Sequence, residues 1–597
     1  MHERAHLRRM RRPFVSLAVV AASACGREAP APPPPSSDAR VTALADAYLA
    51  GYFERNPDQA TVYGVPGQRH DRLPDNRLEA IQAWHAREDG WLTEARAIDP
   101  TTIESESLRA TNAIVREALE GATRSRVCRS ELWPVSQMTG WQTQFGYLVT
   151  IQPVKSAEAR SQALVRWASL PRYLDVEIEN LREGVRAGYT SPRHIVQIVI
   201  DQIDGLVKAS AAAAPVADSP FRSPAERDDD PAFKEEFKRL ITDQLVPAFR
   251  KYRDFLANEY LRASRESIAL SELPDGMSCY DALVQQYSSL PVPASEVYAL
   301  GERQMNSLMA EMRTLAEKSF KTSDVPALLK ALRTDRRYTF RSRADLIAYT
   351  KAAVDRARAA APGWFGRLPK ADVLIEPYPA YREKNGANEY NPPAEDGSRP
   401  GLFYISAYQA EKQSRAIAES TAFHETIPGH HLQSAIALER RDAHPLGRYV
   451  YNNGYAEGWG LYAERLADEM QLFSGDLDRL GMLASQALRA ARLVVDPGLH
   501  LRGWTRQQAI DYMLLHTAEA PDYIAAEVDR YTIWPAQATS YMLGGLEIRR
   551  AREEAEKRLG PAFSIKAFHD KVLEDGGVPL TFMSGKIRAW QAESVHR

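Results

Sequence analysis

The sequence predicts a mainly α-helical fold with a small β-sheet beside an active-site cleft, and three observations carry that expectation. Apolar residues recur at three- and four-residue steps over most of the chain, the spacing that lines one face of a helix. Segments with strand character are confined to two short stretches near the middle. The 597 residues are 44% hydrophobic and 26% charged, the balance of a soluble chain long enough to bury a large core.

The first segment is an address. Residues 1–24 begin with basic side chains ending at Arg11 and Arg12, continue through an apolar run from Phe14 to Ala22, and finish with small residues before Cys25. This is the three-part layout of a secretory signal, and its apolar run is too short to span a bilayer as a helix. Ala22-Ser23-Ala24-Cys25 resembles a bacterial lipobox, with Ala22 where leucine is usual, which makes Cys25 the lipidation candidate. Arg11-Arg12-Pro13-Phe14-Val15 resembles a twin-arginine export signal. The alternative is an ordinary cleaved signal that leaves Cys25 behind. Residues 25–40 include Ala29 to Ser37, APAPPPPSS, which reads as a stiff tether that packs no core. The expected location is therefore periplasmic, free or membrane-anchored through lipid.

Beyond the tether, residues 41–597 read as one large domain of two lobes, about 41–290 and 291–597. Helical periodicity marks Arg40 to Phe53, Leu78 to Ile98 and Ala157 to Ala187. Ala209 to Asp230, rich in Ala, Pro, Ser and Asp, reads as a loop before helical pattern resumes from Pro231 to Ser267. Leu273-Pro274-Asp275-Gly276 reads as a turn, and Val297 to Lys318 as a helix. Ala371 to Pro377 and Leu402 to Ser406 are the predicted strands, with a loop dense in Pro, Gly and Asn between them. Helices return from Ala410. Asp496-Pro497-Gly498 predicts a turn, and Thr505 with Gln508 a capping box.

Composition excludes several functions. The net charge is −2 and there is no basic stripe with interleaved aromatics, so nucleic acid is not an expected partner. No Gly-x-Ser-x-Gly elbow adjoins a strand, and no phosphate loop is present. None of the three cysteines, Cys25, Cys128 and Cys279, forms a C-x-x-C pair, which argues against a thiolate zinc site. In an oxidising compartment Cys128 and Cys279 are disulfide candidates; two buried free thiols are the alternative.

The chemistry concentrates in residues 420–433, STAFHETIPGHHLQ. A His-Glu pair on a helix opens many zinc sites, with a second histidine four residues on and the glutamate as general base. Here that fourth position is Pro428. On a straight helix His430 would point about 120° away from His424, and His431 would lie about 10 Å further along. Zinc–nitrogen bonds are about 2.0–2.1 Å, so neither could join His424 on one ion. Pro428-Gly429 offers the remedy. Proline removes a backbone donor and clashes with the carbonyl four residues back, which is that of His424, and glycine tolerates unusual dihedrals. A bulge or break there would swing His430 or His431 back. A helix end carrying surface histidines is the bland alternative in a chain with 13 histidines.

A catalytic zinc needs a third protein ligand and an open position for water. Glu457, in YAEGWGLY, is the candidate: its glycine and aromatic neighbours predict burial, and a buried carboxylate needs a partner. Gly458 and Gly460 would let its helix approach the first closely. Glu464, beside Arg465, reads as a solvated or paired charge.

His424 to Gln433 together with Glu457-Gly458-Trp459 resembles the bacterial family catalogued as domain of unknown function 885. The resemblance runs from about Ala45 to near the C-terminus and includes Leu273 to Gly276, Gly401 to Ser406 and Arg530 to Tyr541. That family looks like a distant relative of gluzincin metallopeptidases, helical enzymes with two histidines and one glutamate on zinc. The resemblance implies a gluzincin-like helical fold and one zinc ion per chain. It favours His430 as second ligand, because His431 stands where tyrosine also occurs in the family. It further implies that Leu402 to Ser406 offers its edge to an extended peptide; an ordinary core strand is the alternative.

The expected mechanism places zinc on His424, His430 and Glu457, with Glu425 as general base. Tyr541 or His500 would stabilise the oxyanion, and Arg530 and Tyr531 would bind substrate, the arginine through a forked contact to a carboxylate; for each of the four the alternative is a structural role, with at least one expected to be catalytic. The expected function is an exported zinc metallopeptidase acting on a peptide substrate. The alternatives are a zinc hydrolase of other amides or esters, and a non-enzymatic lipoprotein whose zinc is structural. A closed shell containing both His430 and His431 would favour the last.

Overall fold

Residues 35–210, 219–378, 388–394, 399–450 and 452–595 are described by the structure, a computed structural model. The export signal, Cys25 and most of the tether lie outside the described residues. The first helix begins at Ser37, so the segment read as tether to residue 40 is helical over its last residues. The chain is 72% helix and 3% strand, and no described helix is long and apolar enough to cross a membrane.

Local chemistry explains many of the boundaries. The predicted helix Ala157 to Ala187 is two, Ala157–Ala168 and Leu170–Ala187, divided at Ser169 before Pro171. The predicted loop Ala209 to Asp230 contains two short helical turns, Pro220–Arg222 and Ser223–Glu226. Asp230 then caps the helix starting at Pro231 by accepting from the Ala232 and Phe233 amides. Thr505 and Gln508 form a reciprocal capping box.

Among the described residues two apolar cores are present. The smaller, drawn from residues between Val135 and Tyr260, is organised around aromatic contacts such as Trp141 on Phe249 and Trp167 on Phe221. The larger takes residues from both sides of position 290 and surrounds the His-Glu segment. A Cys128–Cys279 disulfide ties segments 151 residues apart within it.

Seven helices matter for the site, labelled here in chain order: α1 (Ala294–Leu315), α2 (Ala418–Glu425), α3 (His430–Leu438), α4 (Asn453–Glu469), α5 (Asp476–Leu501), α6 (Pro521–Ile533) and α7 (Ser540–Leu559). The predicted turn at Asp496-Pro497-Gly498 does not form, and α5 runs straight through it. Asp496 accepts hydrogen bonds from the Tyr280 hydroxyl (2.6 Å) and the Ala536 amide (2.9 Å), and Gly498 lies against the Trp504 ring. Burial from Leu480 to His500 overrides the local preference of Pro and Gly for a break.

Among the described residues the sheet has three strands, β1 (Val373–Pro377), β2 (Glu389–Asn391) and β3 (Gly401–Ile405), in the order β1-β3-β2. β3 pairs in parallel with β1 and antiparallel with β2. It is therefore the central strand, which corrects the expectation that residues 402–406 offer an edge to substrate. β2 falls in the stretch whose Pro, Gly and Asn content predicts a loop; its pairing to β3 makes it a strand.

Candidate metal centre

The site is built on a helix that stops where the sequence forces it to. α2 ends at Glu425, Thr426 leaves helical geometry (φ −115°, ψ −104°), the Ile427–Pro428 peptide is cis, and α3 starts at His430. A Cβ on Gly429 would lie 1.9 Å from the His424 carbonyl oxygen, so only glycine lets the chain fold back this tightly. The Gly429 amide donates to Phe423 O (3.0 Å) and that of Leu432 to Thr426 O (3.3 Å), bridging the break. The buried Trp459 indole donates to the Pro428 carbonyl at 2.9 Å, pinning it to α4.

The result brings His424, His430 and Glu457 together, with one ligand atom from each mutually within 4.8 Å. His424 Nε2 and His430 Nε2 lie 3.7 and 3.5 Å from Glu457 Oε2. Ligands about 2.0–2.2 Å from a tetrahedral ion are roughly 3.3–3.6 Å from one another, so this donor set fits zinc. Among the described residues the group that could hold a metal consists of these three, and a fourth tetrahedral corner is left over.

Two features orient His424. Glu464 Oε1 accepts from His424 Nδ1–H at 2.9 Å, which turns Nε2 toward Glu457. A Cβ on Gly460 would come within 2.7 Å of the His424 ring, so glycine there admits the imidazole. Gly458 faces the other way, where its missing Cβ lets the Gly544 backbone of α7 come close.

Electrostatics match that geometry. Burial pushes the His424 imidazole down, but Glu457 and Glu464 outweigh it and lift its pKa to about 9. Burial likewise works against the Glu457 carboxylate, yet His424 and His430 hold it well below the usual range. The centre therefore favours positive charge. Glu425 shifts the opposite way: burial raises its pKa, with His424, His430 and Arg489 acting against that rise. A carboxylate raised toward neutrality is suited to proton transfer.

The adjacent histidines separate. His431 Nε2–H donates to Ala371 O (3.0 Å), and its Nδ1 accepts from the Tyr390 hydroxyl (3.1 Å). Burial lowers its pKa to about 4, so the ring is neutral. It ties the sheet to α3 and stands outside the ligand group. Tyr541 stands near enough to feel the Glu457 charge. It is half-buried at the start of α7, and burial together with the nearby Glu457 charge pushes its hydroxyl up to about 12. The Arg492 guanidinium stacks 4.5 Å over its ring.

Three expected residues belong to the interior instead. His500 is fully buried; its Nδ1 accepts from the Leu270 amide and its Nε2–H donates to Tyr531 O (2.9 Å), leaving no donor for an oxyanion. The Tyr531 hydroxyl is equally buried, donating to Glu527 and accepting from Arg492. Arg530 spends its fork on Glu527 and Gln537 rather than on a substrate carboxylate.

Glu464 is the residue that sequence reasoning misplaced. It is fully buried on His424 and Gln486, whereas its neighbour Arg465 pairs with Glu311. The available signal was its position seven residues, two helical turns, after Glu457.

The family model of a bacterial protein of unknown function (DUF885) matches residues 57–587. No curated protein matches. A candidate lipoprotein from Colwellia psychrerythraea has a similar solved structure, with a TM-score of 0.84 and 23% identity over 94% of this chain and 100% of its own. A candidate lipoprotein of unknown function from Shewanella oneidensis is similar with a TM-score of 0.73 and 16% identity, over 91% and 99% of the two chains. At these identities the likeness concerns the fold.

Proposed function

We propose, for a chain that belongs to the bacterial protein family DUF885, the function of an exported zinc-dependent peptidase of gluzincin type. The observation that carries the reading is the three-ligand group His424, His430 and Glu457, with Glu425 adjoining His424 in sequence and within electrostatic reach of all three. A structural zinc closes its shell with four protein ligands, whereas a catalytic one keeps a position open. His431, the obvious fourth donor, is committed to Ala371 and Tyr390, which supports the catalytic reading. Export is supported by the signal-like N-terminus and by the two structural neighbours described as candidate lipoproteins.

Zinc, when bound, supplies Lewis acidity that polarises a carbonyl and lowers the pKa of water. Glu425 takes a proton from the attacking water and delivers it to the leaving amine. Tyr541, protonated at neutral pH, donates to the developing oxyanion. Glu464 holds His424 in the tautomer that presents Nε2.

Cleavage of a mixed peptide library, read by mass spectrometry, tests the reading with Glu425→Gln in parallel. Cuts by the wild type, reduced about 10²–10⁴-fold in the variant with zinc content unchanged, are expected. A zinc-loaded wild type that cuts no peptide, or a variant that cuts as well, overturns it.

A further inference from the structure

The two apolar cores meet at a cavity of about 510 Å³. Trp133 on its wall belongs to the larger core and Val135 to the smaller. Further wall comes from Arg55 and Asn56, where helix Ser37–Arg55 ends, and from Ile81, Trp84 and His85 on helix Leu78–Arg96. Ile533, the last residue of α6, closes it on another side. Junctions between packed units are where small-molecule sites concentrate, and such sites hold roughly 300–1,000 Å³.

The chemistry of the lining selects the guest. The Trp84 indole donates to Glu88 Oε1 (2.7 Å) and the Trp133 indole to Cys128 O (2.9 Å), so both spend their polar edge on the protein and offer ring surface. Arg87 lies 5.4 Å over the Trp84 ring and Trp91 meets it edge-on, which holds it in place. Arg55 Nη1 donates to Asp75 O (2.7 Å). The acids whose charge reaches Arg55 are held by others: Asp75 by Arg77, Glu88 by Arg126 and Asp58 by the Gln59 amide. A guanidinium carries several N–H donors in a fork that matches a carboxylate. Burial, then Arg126, lowers the pKa of His85, so its ring is neutral and offers one donor and one acceptor. Among the remaining polar side chains, Asn56 bonds Tyr52 O, Glu131 bonds Arg129 and Thr139 bonds Ser136, while Ser130 stands exposed at the rim.

We propose that this cavity binds a small organic anion built on a ring, with its carboxylate on Arg55 and its ring against Trp84 and Trp133. The site is independent of the peptidase reading, since none of its residues belongs to the metal centre. Aromatic acids and sugar acids share the chemistry it recognises: a ring face for the indoles and an anion for the guanidinium. His85 and Ser130 supply hydrogen bonds to the guest's other polar groups. A guest seated there touches both cores and ties them together.

The test is calorimetric titration of the full chain with indoleacetate and with glucuronate, beside their uncharged counterparts indoleacetamide and glucose, with Tm followed in parallel. At least one acid is expected to bind with a Kd below about 1 mM and to raise Tm, as a guest of the folded state does. Which of the two binds distinguishes an aromatic source from a sugar source. Its uncharged counterpart is expected to bind at least about tenfold more weakly, and the acid itself to bind Arg55→Gln at least about tenfold more weakly, the loss of a charge-assisted hydrogen bond. Ser130→Trp, which narrows the mouth from an exposed position, is expected to weaken binding as well and covers the case in which Arg55→Gln does not fold. A full chain that binds neither acid overturns the site. So does an uncharged counterpart that binds equally well. So does an acid that binds folded Arg55→Gln, or Ser130→Trp where the first variant does not fold, as tightly as the wild type.

Discussion

Two regions of this protein look alike in sequence and differ in what they do. The His-Glu segment with Glu457, and the stretch from His500 through Arg530-Tyr531, are both dense in histidine, acid, arginine and tyrosine. In the first, His424 Nε2, His430 Nε2 and a Glu457 oxygen converge with a corner left over. In the second, the site-type side chains bind one another: Glu527 with Arg492, Arg530 and Tyr531, and His500 with Leu270 and the Tyr531 carbonyl. The difference teaches that residue type does not mark a site. Unspent bonding capacity does, because a buried polar group that is already satisfied has nothing to offer a ligand.

The comparison breaks most severely at the ligands. Replacing His424 with Ala is expected to remove stoichiometric zinc and all turnover, read by metal analysis beside peptide cleavage; retention of one zinc per chain would mean the ligand group is misassigned. Tyr541→Phe is expected to lower kcat about 10²–10³-fold with KM little changed, the cost of losing one oxyanion donor. An unchanged kcat would return Tyr541 to a packing role. Glu464→Gln is expected to weaken zinc binding or activity about 10–100-fold, measured by competition with a chelator.

The closed region should respond in stability instead. His500→Asn is expected to leave kcat near wild type while costing about 1–3 kcal/mol in chemical denaturation, because buried partners lose their hydrogen bonds. A large fall in kcat without loss of stability would restore His500 to the chemistry. The smallest effect is in pH. Burial lowers the pKa of His500 to about 4 and of His569 to about 3, against about 6.5 in the unfolded chain. Below about pH 6.5 the unfolded state binds more protons at these two positions, so their contribution to stability is full above that value and falls as pH drops toward 4. The change in Tm from pH 7 to pH 5 is therefore expected to be less unfavourable in His500→Asn than in the wild type.

Much of the site was legible in the chain. Pro428-Gly429 announced a broken helix because Pro removes the donor and Gly removes the Cβ that a tight return needs, and α2 ends there. The glycines flanking Trp459 announced close packing, and Gly460 admits the His424 ring. Glu464 was not legible, since a glutamate beside an arginine looks paired with it, and only the fold sends Arg465 to Glu311 and Glu464 to His424. β2 escaped for a similar reason: three polar and aromatic residues become a strand only when β3 lies beside them.

The sequence by itself determined the helical periodicity, the break between His424 and His430 and the residue types needed for a metal, because each follows from chemistry within a few residues. Tertiary structure alone decided which of two adjacent histidines turns to Glu457, whether Pro497 ends a helix, and which polar groups remain unspent. Those outcomes depend on partners hundreds of residues away, such as Tyr280 for Asp496 and Leu270 for His500. Burial makes each such partnership decisive, since an unsatisfied polar group in the interior costs about 1–3 kcal/mol, more than most local preferences supply.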